Sequence, residues 1–314
     1  TGSFGSDILG GKAFGLARMT QLGIPVPPGF VATTEACGIY YREGKRLPNS
    51  FWAEFDDHLI RLEGQTGKRV GGTNDPLLVS VRSGAPISMP GMMDTVLNVG
   101  LNDETVEVLA ASTGDRRFAL DSYRRLLQMY GQVVSGIDKT VFDNELDTVL
   151  SNSGVSTPIE LSEEALEVLI TAFKGVFVDV TGEVFVQDPR DQIRNCLIAV
   201  FDSWNGKRAE TYRQMQGISA DLGTAASVVS MVYGNLGENS GTGVCFTRNP
   251  STGEPGLFGE FLQSAQGEDV VSGERTPEPV SEMSEKFPVA YAELIEHAET
   301  LERYNRDMQD IEFT

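Results

Sequence analysis

The stretch Leu77–Asn98, LLVSVRSGAPISMPGMMDTVLN, constrains the fold most strongly. Leu77, Val79 and Val81 alternate with Leu78, Ser80 and Arg82, the period of a strand. The strand delivers Arg82 to its C-terminal edge, where a loop of Ser, Gly, Pro and Met begins. A guanidinium there is a planar fork of five donors suited to a phosphate or carboxylate. The plain alternative is an arginine that closes a surface turn.

The 314 residues suffice for more than one compact unit, and their 22% charged and 40% hydrophobic content is that of a water-soluble globular protein. A formal net charge of −20 argues against nucleic-acid binding, which needs clustered cations, while leaving room for a local pocket for one nucleotide. No apolar run reaches membrane-spanning length and the start does not resemble a signal sequence, so the expectation is a cytoplasmic protein without a membrane. Cys37, Cys196 and Cys245 lack metal-ligand spacing and read as reduced, buried thiols. The chain opens on Thr1 rather than Met, which suggests trimming.

Ser6–Leu22 reads as one helix that starts on a Gly-Gly-Lys turn and stops at Gly23, before Pro25, Pro27 and Pro28. Lys12 lies near its amino end, where free N–H groups and the helix dipole favour anions. The turn is not a Walker A loop, because Ser6 stands at its first Gly position and Ala13 at its Ser/Thr. Alone, Lys12 reads as a solvated lysine. A short strand over 29–34, helices over 34–43 and 51–62 and a loop over 64–75 lead into the central strand.

From Leu101 to Phe185 the pattern is helical, with Phe118, Tyr123, Leu126, Leu127 and Tyr130 at intervals of three or four. Arg124 and Arg125 read as a solvated face of one such helix. Asp188–Trp204 is a further helix with Pro189 in its first turn, and a basic segment follows over Lys207–Arg213. Ala225–Tyr233 and Val244–Thr247 are β-branched and apolar, and the intervening turn GNLGENSGTG predicts a hairpin. Glycines in that turn let the backbone approach a ligand closely. Leu257–Leu262 is another strand and Pro288–Asp307 an amphipathic helix. The segment Met308–Thr314 returns to period two, placing Asp310 and Glu312 on one face and Ile311 and Phe313 on the other. Carboxylates so spaced have Cα atoms roughly 6–7 Å apart and can share a hard cation, although a lone pair of this kind is more often a polar strand face.

Five stretches together resemble one family. VSVRSGA followed by SMPGMMDT, GGKAFGLARMTQLGIPVPPGF, GTGVCFTRNPSTGE, AQGEDVV and DMQDIEFT occur here in the order they take in the nucleotide-binding region of pyruvate phosphate dikinases. The glycine-rich segment differs at one position from that family's GTGVAFTRNPSTGE. SMPGMMDTVLNVGLND favours the dikinases over phosphoenolpyruvate synthases and antibiotic phosphotransferases, which share the Arg-Ser but diverge after it.

The resemblance implies an α+β, ATP-grasp-like fold with an inserted helical subdomain: residues 1–100 with 187–223 as one lobe, 101–186 as the insert, and 224–314 as the second lobe. It implies ATP and Mg2+ as cofactors. Lys12 and Arg82 would neutralise the polyphosphate, and Arg82 would follow the transferred group. Thr95 would donate a hydroxyl, Ser240, Gly241, Thr242 and Gly243 would close over the phosphates, Glu268 would accept from the ribose, and Asp310 and Glu312 would hold the metal. The implied partners are a phosphohistidine domain and a pyruvate/phosphoenolpyruvate barrel domain of the same enzyme, which forms a homo-oligomer. His58 and His297 lack the context of a phosphohistidine and read as ordinary helix histidines. Three departures accompany the match: no strand precedes the Gly-Gly-Lys turn, Val229 stands where the family has a glutamine, and Thr314 precedes the family's Gln-Thr-Arg. They keep open a second reading, a nucleotide-binding module without catalysis.

Overall fold

A computed structural model describes residues 4–272 and 275–314, with the side chains of 268, 271 and 272 outside the described part. The chain divides into two units, Thr1–Ala17 with Pro27–Met231, and Arg18–Val26 with Val232–Thr314.

The first unit opens with α1 (Ser6–Leu9) and α2 (Gly11–Gln21), the latter running on into the second unit. The single helix expected over Ser6–Leu22 is therefore broken, because Gly10 takes φ 74°, a left-handed conformation that no helix accommodates. There follow β1 (Gly29–Ala32), α3 (Thr34–Arg42), α4 (Asn49–Thr66), β2 (Val79–Gly84) and β3 (Thr95–Val99). Four helices come next: α5 (Thr105–Thr113), α6 (Arg116–Val133), α7 (Lys139–Ser153) and α8 (Glu163–Thr181). Asp115, Asp138 and Ser162 cap the last three through side-chain oxygens that accept backbone N–H bonds. The unit closes with α9 (Pro189–Ser203), α10 (Lys207–Gln216) and β4 (Ala225–Ser230).

Its strands form one antiparallel sheet in the order β1-β4-β2-β3. Val81, Val96 and Val228 align across β2, β3 and β4 and are fully buried. The helix α9, whose Ile193, Cys196, Leu197, Val200 and Phe201 are also buried, packs against these strands. Helix α6 lies against β3, α5 and α8, joining the helical segment to the same core.

The second unit contains β5 (Gly241–Arg248), β6 (Pro255–Gln263), α11 (Gly267–Ser272), β7 (Glu278–Pro279), α12 (Met283–Lys286), α13 (Pro288–Asn305) and β8 (Asp310–Phe313). Its sheet runs β7-β6-β5-β8. Cys245, Phe261, Val280, Met283 and Leu294 form its core, with Ile311 and Phe313 packed against them.

Two further expectations change. The hairpin across 234–243 does not form: β4 pairs with β1 and β2, while β5 pairs with β6 and β8. β4 completes the first sheet, and residues 101–186 belong to the first unit. Arg124 is not a solvated residue: it is 5% exposed and, with Arg125, bonds to Asp121 at 2.8 and 2.9 Å. Spacings of three and four residues place all three side chains on one helical face. The three cysteines are buried and free, as expected.

Candidate functional site

Gly10 brings the start of α2 onto the end of β2. A Cβ at Gly10 would stand 1.8 Å from the Gly84 carbonyl oxygen, and the Gly11 N–H donates to the Ala85 carbonyl at 2.9 Å. Lys12 thereby faces the Ser-Gly-Ala-Pro loop across a cavity of about 310 Å³, lined also by Ser83, Ser88, Met89, Gly91 and Met93. Met89 is anchored with Ala85 in a cluster around Trp204 and Ala209, and Met92 and Met93 pack against it. The methionines thus give a glycine- and proline-rich loop a fixed seat, a role that nothing in local spacing announced. Deeper in this loop, burial pushes the Asp94 carboxyl upward, while Arg208 at 3.2 Å opposes that shift.

Arg82 occupies the centre of a cross-strand row. It pairs with Thr95 on β3 and with Ser227 on β4, and Ser227 in turn pairs with Val31 on β1. Directly paired residues of antiparallel strands project to the same side, so two hydroxyls flank the guanidinium. Arg82 is half-buried, and its Nε is buried without a hydrogen-bond partner among the described residues. An unmet buried polar group costs about 1–3 kcal/mol. Lys12 is exposed and likewise has no ion-pair partner among the described residues. Two such cations in a chain of net charge −20 are selective features, since acids are abundant elsewhere on the surface.

In the second unit, β8 has the alternation expected of it, with Asp310 and Glu312 exposed and Ile311 and Phe313 partly buried. Neither carboxylate takes a hydrogen bond or ion pair among the described residues. Free, adjacent carboxylates on one strand face fit the oxygen-donor preference of a hard divalent cation. Burial, followed by the charge of Asp310, pushes the Cys245 thiol up to about 11. Sequence reasoning passed over Glu260, which shares a row with Val244 and Glu312. It lies two strands from Glu312, roughly 10 Å away between Cα atoms by strand spacing. Among the described residues no group of three or more His, Cys, Asp or Glu side chains converges as a metal cage.

The end of the glycine-rich segment, expected as turn, is strand. Gly241, Thr242 and Gly243 are the first residues of β5, paired with Gln263, Leu262 and Phe261. Thr242 is 3% exposed and its hydroxyl bonds to the Phe313 carbonyl at 3.0 Å. A Cβ at Gly243 would lie 2.5 Å from the Phe313 ring, so this glycine answers to packing. Ser240 remains half-exposed, its hydroxyl donating to the Leu236 carbonyl at 3.2 Å. The loop 234–240 rests on the end of β6 through Ala265 N–H to Gly234 O and Ser264 N–H to Ser240 O. Glu268 falls in α11, and its side chain lies outside the described residues.

This mixed helix-and-sheet architecture, 53% helical and 15% strand, with unpaired cations at a strand–loop–helix junction, is that of an ATP-grasp-like nucleotide-binding protein. Residues 45–289 match the family described as pyruvate phosphate dikinase, AMP/ATP-binding domain, and the chain belongs to that family. It is 50% identical over 309 residues to pyruvate, phosphate dikinase of Clostridium symbiosum, covering 98% of this chain and 35% of that protein. It is 50% identical to the chloroplastic pyruvate, phosphate dikinase of Flaveria trinervia and 49% identical to pyruvate, phosphate dikinase 2 of Zea mays, over 98% of this chain and 32% and 35% of theirs. The chain thus spans about a third of the length of these relatives. No helix among the described residues is long and apolar enough to cross a membrane.

Proposed function

We propose that this chain is the part of a pyruvate phosphate dikinase that binds ATP with Mg2+ and delivers a phosphoryl group to a histidine on a separate domain. In the complete enzyme the overall conversion would be ATP, pyruvate and phosphate to AMP, phosphoenolpyruvate and diphosphate. A barrel domain would handle the pyruvate, in a cytoplasmic homo-oligomer. The observation that carries the reading is a pair of cations without ion-pair partners among the described residues, Lys12 against the loop that follows β2 and Arg82 on β2 itself, in a chain that belongs to this family.

Phosphoryl transfer asks for positioning and charge neutralisation more than for covalent help. Lys12 would hold the polyphosphate at the amino end of α2, where the first N–H groups add their dipoles. Arg82 would hold the transferred group in line, with Thr95 donating its hydroxyl. Glu268 would orient the ribose, and Ser240–Gly243 would border the phosphates. Asp310 and Glu312 would hold Mg2+, which when bound supplies charge neutralisation between phosphate oxygens.

The test is calorimetry of Mg·ATP binding to this chain, followed by transfer from γ- or β-labelled ATP to the phosphohistidine domain within the full-length enzyme. Lys12→Ala should weaken ATP binding by about tenfold, the weight of one charge-assisted contact. Unchanged binding in both Lys12→Ala and Arg82→Met would refute the site. Val229, in place of the family's glutamine, motivates a second reading: a nucleotide-binding module without transfer. Tight ATP binding without label on the histidine of the full-length enzyme would favour it.

A further inference from the structure

Two buried polar atoms in the first sheet are left without partners on residues that face each other directly. Arg82 Nε carries a hydrogen and must donate; Ser227 Oγ can accept. Ser227 is 3% exposed, and the two residues are Cα partners in the β2–β4 ladder. On such a pair the Cβ atoms lie about 4.5–5.5 Å apart, within reach of a direct bond after a side-chain rotation of the arginine. On its other side Arg82 pairs with Thr95, so the guanidinium is the middle member of a hydroxyl–guanidinium–hydroxyl row.

We propose that Ser227 is a positioning residue for Arg82: its Oγ accepts the Nε–H when the guanidinium head engages an anionic ligand. The bond fixes the plane of the fork and frees both terminal NH2 groups for phosphate oxygens. A complementary donor and acceptor, both buried and both unmet in the ligand-free chain, constitute a hydrogen bond held in reserve for the bound state. Leaving it unmade raises the energy of the free state, so ligand binding gains what the free chain forgoes. Two neighbours of Ser227 do not compete for it: Ser80 donates to the Val229 carbonyl, and Val31 on β1 offers no polar group. The inference rests on the nucleotide reading above for the identity of the anion as a polyphosphate.

The test is a double-mutant cycle on this chain, with sodium tripolyphosphate and ATP as probes in calorimetry and thermal melting as the control for folding. Ser227→Ala should weaken both probes about tenfold, the worth of one hydrogen bond to a charged group. Ser227→Thr, which keeps the hydroxyl, should restore affinity. In the Arg82→Lys background, where no Nε–H exists, Ser227→Ala should have no further effect. Equal losses in both backgrounds, or wild-type affinity in Ser227→Ala, would overturn the positioning role. Arg82→Met tests the underlying reading separately: if it binds both probes as the wild type does, the anion site itself is wrong.

Discussion

Gly10 lets the start of α2 meet the end of β2. Its φ of 74° and the 1.8 Å approach of a hypothetical Cβ to Gly84 O leave no room for a side chain, and the contact is with backbone rather than with a movable group. Gly10→Ala should therefore part α2 from the end of β2 and carry Lys12 away from the loop. The expected cost is about 2 kcal/mol or more of stability in a urea melt, with ATP affinity lost as well. If the variant keeps wild-type affinity, the α2–β2 junction does not form the site. Gly243 makes the same point in reverse: a glycine legible as a ligand loop from its motif is required by the Phe313 ring behind it.

At the scale of elements, α6 carries a buried charge cluster. Burial penalises the Asp121 carboxylate, yet Arg124 and Arg125 overcome this and hold it well below the usual carboxylate range. Its folded pKa lies below its unfolded value, so the cluster stabilises fully above about pH 4 and loses that stabilisation as pH falls through the folded pKa. Asp121→Asn leaves Arg124 buried beside a neutral partner and should cost about 3 kcal/mol at neutral pH. In denaturant melts the gap between wild type and variant should stay level from pH 5 to 8 and narrow below about pH 4. A gap that widens in acid would reverse the sign. Helix spacing alone left Arg124 and Arg125 as plausible surface residues. Their burial follows from the packing of α6 against α5, α8 and β3, which periodicity within α6 does not reveal.

For the whole molecule, the discontinuous composition of the second unit has a consequence for dissection. Arg18, from the α2 end of that unit, donates to Asn305 at 3.3 Å and lies 5.3 Å from the Tyr304 ring centre. A fragment beginning at residue 232 lacks the 18–26 segment. Its helix α13 should exchange amide hydrogens faster than in the full chain, over residues 288–305. Equal protection would show that 232–314 is a self-sufficient unit. What sequence alone determined was local: the strand that carries Arg82, the helices from Leu101 onward, the alternation of Asp310 and Glu312, and through its motifs the family. Tertiary structure alone decided that β4 and β5 enter different sheets, that Gly10 breaks the first helix against Gly84, and that Ser227 faces Arg82. The reason is physical: a chain's period records which of its sides is apolar, whereas the choice of neighbouring strand depends on long-range pairing, for which one residue and its sequence neighbours carry no signal.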